Sequence, residues 1–180
     1  DIVSPFLQAQ YGRTSISQEE RNNLYEKLGF YEQPALRLPA AVVAGRTDIR
    51  VPSPLDIRLS PAQLIRAAAA LSNKGICPAG QLVMAVNTPL QGWVILPTLG
   101  QSTQCLAAGD VENLLRAESG AFWSYTGSGE SESDSAATWF MGGTTSGWQG
   151  TPLAVVVVLE NSNRLQARAV GLAVLEAAIK

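Results

Sequence analysis

Few side chains in this sequence are of types that do chemistry. There are two cysteines, Cys77 and Cys105, and no histidine. Their spacing matches no metal-binding motif, and without histidine a zinc site has too few ligands, so no metal is expected. Both cysteines read as buried, either as free thiols or, in an oxidising compartment, joined as a disulfide. Glu130, Glu132 and Asp134 bring three carboxylates together within Gly129–Asp134. They lack the ligand spacing of an EF-hand loop and read as a solvated hairpin tip. Gly142-Gly143-Thr144-Thr145 is not followed by the lysine and helix of a phosphate-binding loop and reads as a turn. The four tryptophans, Trp93, Trp123, Trp139 and Trp148, have faces suited to a sugar ring, but packing explains the two on predicted strands equally well. Thr126-Gly127-Ser128, after Tyr125, is a strand end whose small side chains leave the backbone open to an extended peptide.

The elements that would position these residues can be read from periodicity and caps. Ser17-Gln18-Glu19-Glu20 is a capping box, which predicts a helix running to Leu28 and stopped by Gly29. The proline-bearing stretch 30–58 reads as a long connection. Ser60-Pro61-Ala62-Gln63 opens a second helix, placed over Leu59–Lys74, with Leu64, Ile65, Ala68, Ala69 and Leu71 as its apolar stripe. Strands are expected at Gln81–Asn87 and Gly92–Leu96, then a short helix over Val111–Glu118 capped by Asp110. Ala121–Thr126, Ala136–Gly142 and Leu153–Glu160 read as three antiparallel neighbours. The unbroken valines 155–158 point to a strand covered on both faces. A last helix, Asn163–Ala178, carries Leu165, Ala169, Leu172 and Leu175 and should lie on the sheet. The fold class is α+β, an antiparallel sheet of these three strands plus flanking strands, covered by helices.

Composition narrows the possibilities. The 180 residues are 46% hydrophobic and 16% charged, which suits one globular domain over 1–180. The net charge of −2, with no lysine and arginine cluster, lacks the footprint of a nucleic-acid binder. The longest apolar run, Leu153 to Leu159, is far short of the ~20 residues of a membrane span. The chain opens at Asp1 without a signal-like segment and reads as a piece of something longer. No cofactor motif occurs.

The order of these segments resembles the C-terminal part of penicillin-binding transpeptidase domains, of the serine D,D-peptidase and β-lactamase-like family. Ser60-Pro61-Ala62-Gln63-Leu64-Ile65, the alanines 67–70, Ser72-Asn73-Lys74-Gly75, Pro78 and Leu82-Val83 follow that family's helix, its Asn-x-Gly turn and its next strand. Trp139-Phe140-Met141-Gly142 resembles its Trp-Phe-x-Gly strand, and Leu153–Val157 its final strand. Phe6–Gln10 and Leu28-Gly29-Phe30 resemble the helices that follow its Ser-x-Asn motif, so the likeness is almost chain-long.

Serine acylation in that family needs three motifs facing one cleft. No serine here is followed three residues later by lysine. The Ser-x-Asn would fall at Asp1-Ile2-Val3, where neither residue is present. The Lys-Thr-Gly would fall at Tyr125-Thr126-Gly127, with tyrosine in place of the cation. The resemblance therefore implies a degenerate domain with no catalytic residue, a scaffold or interaction module in the extracytoplasmic envelope of a bacterium. Its partners would be a peptidoglycan stem peptide or another cell-wall protein. Two other readings are a portion of an active transpeptidase whose nucleophile lies upstream, and an unrelated ligand-binding α+β domain.

Overall fold

The computed structural model describes residues 2–32, 59–98, 100–116, 118, 120–130 and 136–180. The long connection read at 30–58, beyond residue 32, and the acidic tip at 131–135 lie outside the described residues.

Two short helices, α1 (Ser4–Tyr11) and α2 (Gln18–Lys27), come first. The capping box is complete at α2: Ser17 Oγ accepts from the Glu20 amide, and Glu20 accepts from the Ser17 amide at 2.8 Å. Gly29, at φ +72°, turns the chain out of α2 in the left-handed region that glycine tolerates best. The turn brings Phe30 edge-on to Phe6 of α1, ring centres 6.1 Å apart.

Helix α3 (Pro61–Ser72) has a second complete box, Ser60 with Gln63. Gln63 is buried and donates its amide to the carbonyls of Phe30 and Glu32, tying α3 to the end of α2. Its buried face is Leu64, Ala67, Ala68 and Leu71, while Ile65 and Ala69 are only half-buried, so the stripe sits slightly round from the predicted one. Alanines on this face let the helix lie close to the sheet.

The main sheet has the order β5 (Phe122–Glu130), β6 (Ala136–Thr144), β7 (Ala154–Glu160), all antiparallel as expected. Alternation divides its side chains between two cores. Trp123, Trp139 and Met141, with Tyr125 and Val156, face the larger core shared with α1, α2 and α3. Phe140, with Phe122, Val155 and Val157, faces the last helix, α5 (Arg164–Ala178). The valines of β7 thus meet both cores, but among the described residues β7 has a neighbour on one side only, and Val155, Val156 and Val157 are half-buried while Val158 is exposed. Cover on both faces, as expected, is therefore present but partial.

Helix α5 is capped by Asn163 and Gln166. Its buried seam is Ala167, Gly171 and Leu175; Leu165 and Ala169 of the expected stripe are exposed. A β-carbon at Gly171 would collide with the Phe140 ring, so the helix seats on that aromatic only because residue 171 has no side chain.

The first strand after α3 is only the pair β1 (Ile76–Cys77) with β4 (Thr103–Gln104), and the strand expected at 81–87 begins at Ala85. It forms the hairpin β2 (Ala85–Thr88) and β3 (Gly92–Ile95), leaving Leu82 and Val83 outside any strand. Helix α4 spans Ala108–Leu115 with Ala107 at its N-cap, so Asp110 lies in the first turn, where its charge favours the helix dipole, and caps nothing. Residues Gly142–Thr144 continue β6 where a turn was expected; β-carbons at 142 and 143 would strike Phe140, the Trp123 backbone and Ser72. Of the two states left open for the cysteines, the bonded one is observed: Cys77 and Cys105, both buried, form a disulfide across 28 residues.

Tyr25 is fully buried and its hydroxyl has no hydrogen-bond partner. Burial pushes its phenol up to about 12, more than the nearby Arg21 pulls it down. A folded-state value above the unfolded value of ~10 means that stability from the neutral phenol is intact below pH ~10 and lost as pH rises towards 12. Tyr25→Phe is therefore expected to equal or exceed the native stability at neutral pH and to flatten the decline between pH ~10 and ~12, read from urea midpoints across that range.

Candidate functional site

The residues singled out on the strand end, Tyr125, Thr126, Gly127 and Ser128, all lie in β5. Among the described residues β5 pairs only with β6, and no described strand lies on its other edge. That geometry suits an added peptide strand, which would take its affinity from main-chain hydrogen bonds.

The side chains are arranged for packing as much as for binding. Gly127 is paired with Trp139, and a β-carbon there would run into the indole ring. The glycine therefore has a structural reason that no ligand is needed to explain. Trp139 is in turn 8% exposed, laid across the strand as part of the main core. Thr126 is half-buried and Ser128 exposed.

Tyr125 sits on the main-core face, its ring centre 6.0 Å from that of the buried Trp123. Burial raises the phenol above its ordinary value, and the Glu118 carboxylate adds to the shift. The hydroxyl is thus neutral at physiological pH, and the charged group acting on it is an acid. Glu118, just before β5, was missed in the sequence because nothing in its spacing connects it with the strand; only the fold brings it near Tyr125.

Trp123 anchors this part of the sheet. It is fully buried and donates from Nε1 to Ser72 Oγ at 2.9 Å, joining the end of α3 to β5. A cavity of about 70 Å³ lies next to this contact, lined by Lys74, Glu112, Thr144, Thr145 and Trp148 among others. Phe122 pairs with Thr144, so the cavity flanks the start of β5 and not Thr126–Ser128. It is far below the ~300 Å³ at which ligand pockets usually begin.

The four tryptophans do not converge on a cleft. Trp123 and Trp139 are in the main core, Trp93 stands exposed on the separate β2–β3 hairpin, and Trp148 donates to the Thr151 carbonyl within its own loop. At the position expected for Ser-x-Asn, Val3 is buried in the core at the start of α1. Among the described residues no group of three or more His, Cys, Asp or Glu is placed to hold a metal ion. No described helix is long and apolar enough to cross a membrane.

This arrangement of helices on an antiparallel sheet is part of the fold of penicillin-binding transpeptidase domains. The chain superimposes on penicillin-binding protein A from Mycobacterium tuberculosis, in its penicillin G acyl-enzyme complex, with a TM-score of 0.70 and 22% identity over 98% of this chain and 46% of that one. A peptidoglycan synthetase from Bifidobacterium adolescentis matches at 0.64 and 15% identity, over 90% of this chain and 35% of that one. The D,D-transpeptidase domain of a peptidoglycan glycosyltransferase from Eggerthella lenta matches at 0.62 and 16% identity, over 91% and 48%. The chain thus spans less than half the length of each of these proteins. No protein-family model and no curated protein matches the sequence.

Proposed function

We propose that this is a non-catalytic, transpeptidase-like domain of the bacterial cell envelope, working on the extracytoplasmic side as a scaffold or interaction module. The observation that carries the reading is Tyr125. At the position where the resemblance calls for a lysine, β5 presents a half-buried neutral phenol under the influence of the Glu118 carboxylate. A carboxylate-ended substrate finds no cation there. The buried Val3, at the position where the resemblance calls for the Asn of Ser-x-Asn, supports the same conclusion. The Cys77–Cys105 disulfide supports an oxidising, extracytoplasmic setting.

With no described strand on the far side of β5, one binding mode fits: an extended segment of a peptidoglycan stem peptide, or of another cell-wall protein, adds as a strand and is held by its backbone. Recognition then ignores the peptide's terminal charge. A stem peptide and its C-terminal amide are expected to bind the native chain within about twofold of each other, read by isothermal titration. Tyr125→Lys should introduce a carboxylate preference of about tenfold, the effect of one cation partly screened at the surface. A native chain that already prefers the carboxylate form tenfold, or a fluorescent penicillin found by mass spectrometry on a serine of this chain, overturns the proposal.

A further inference from the structure

From Gly75 to Gly109 the chain contains no Asp, Glu, Lys or Arg; all 13 basic and 15 acidic residues lie elsewhere. The structure makes this stretch one lobe. At its base the β1–β4 pair and the Cys77–Cys105 bond hold the two ends together. At its far end is the β2–β3 hairpin, turned through Pro89-Leu90-Gln91 and Gly92 at φ +67°. Between the two, Gln81 donates to the carbonyls of Val83 and Leu96 and accepts from Thr98, which ties the approach strands to each other. The lobe is braced, yet its apolar side chains face outwards. Leu90 is 97% exposed, Ile95 82%, Met84 74%, Trp93 72% and Leu82 58%.

We propose that this lobe seats in the interfacial layer of a lipid bilayer. A patch of large exposed apolar side chains marks an interaction site. Its charge pattern selects the occupant. Protein partners are met with an apolar centre inside a polar rim, with arginine among the enriched contact residues. Here the tip and the hairpin carry no charge of either sign, and the Arg66 guanidinium that reaches the base from α3 is engaged there by the Pro78 carbonyl and the Thr103 hydroxyl. A bilayer penalises charge and tolerates neutral amides and hydroxyls at its surface, and tryptophan is enriched at the headgroup level. The depth is limited by the backbone. A two-stranded hairpin has two open edges, whose unpaired amides and carbonyls hydrocarbon cannot satisfy. The lobe therefore rests among headgroups and upper acyl carbons and does not cross. With no basic residue of its own, and with Arg66 held at the base by Pro78 and Thr103, the lobe owes its adsorption to apolar contact and should be insensitive to salt.

The test uses the full chain with vesicles of phosphatidylcholine alone. Co-sedimentation is expected, equal at low and high salt, with a blue shift of tryptophan emission that disappears in Trp93→Phe while sedimentation persists. Trp123 and Trp139 are buried and contribute little to that change. Replacing Leu90, Trp93 and Ile95 together by serine should weaken partitioning at least tenfold, because three large apolar side chains are withdrawn from an apolar layer. The substitutions lie at the exposed tip, and circular dichroism and the thiol titre verify that the fold and disulfide are intact. No sedimentation of the native chain overturns the proposal. So does binding confined to anionic vesicles and abolished by salt, or a concentration-dependent dimer that the triple-serine variant dissolves, which would make a second copy the occupant.

Discussion

Trp123→Ala is expected to destabilise the domain by about 3–5 kcal/mol, the cost of emptying a large buried site that its surroundings only partly refill. The indole is fully buried, faces the main core and bonds across to Ser72 at the end of α3. Relaxation is restricted because β-carbons are excluded at Gly142 and Gly143, so the β6 backbone already lies against Trp123. The measurement is the urea midpoint of native and variant chains. Ser72→Ala serves as the companion: it leaves the ring in place but strips the buried Nε1–H of its acceptor, at a cost of about 1–3 kcal/mol. The two effects should fail to add, because both remove one hydrogen bond. Additive losses would mean that the bond contributes nothing and that volume alone matters.

The Cys77→Ala, Cys105→Ala double variant is expected to lose about 3–4 kcal/mol, the loop-closure entropy released to the unfolded chain when a link across 28 residues is removed. Alanine is the replacement of choice because both sites are buried, where a serine hydroxyl would need a new partner. The loss should appear equally when the native chain is unfolded in the presence of a reductant. A loss below about 1 kcal/mol would show that the β1–β4 pairing and the Gln104 bonds to the carbonyls of Lys74 and Leu106 hold the base of the lobe without the bond.

Residue by residue, the sequence was most readable where one local interaction decides the outcome. The boxes Ser17–Glu20, Ser60–Gln63 and Asn163–Gln166 each place an acceptor and a reciprocal partner three residues apart, and all three start helices. The order of β5, β6 and β7 was equally legible, because each strand pairs with its neighbour in sequence. What was missed depends on partners distant in the chain. The seam of α5 could not be placed from hydropathy, since Phe140 selects Gly171 for its lack of a side chain, and no apolar scale rewards a glycine. Gly142–Thr144 has the composition of a turn, yet it is strand because Trp123 and Ser72 press on it from another element. At the candidate site, the residues of β5 were identified from the motif alone, but the packing of Trp139 over Gly127 and the influence of Glu118 on Tyr125 exist only in three dimensions. The uncharged lobe was visible in the sequence as a gap in the charges from Lys74 to Asp110. It had no meaning until the side chains within it proved exposed.

Strand β7 has a neighbour on one side only among the described residues, while helices α3 and α5 lie over its two faces. Its four valines include no charge, no proline and no bulge, the devices that usually discourage an unpaired edge from recruiting a stranger. Such an edge is a template. In concentrated solution it favours zipping to the same edge of another copy, and a strand supplied in trans that matches its length should act as a solubiliser, capping the ladder before copies meet.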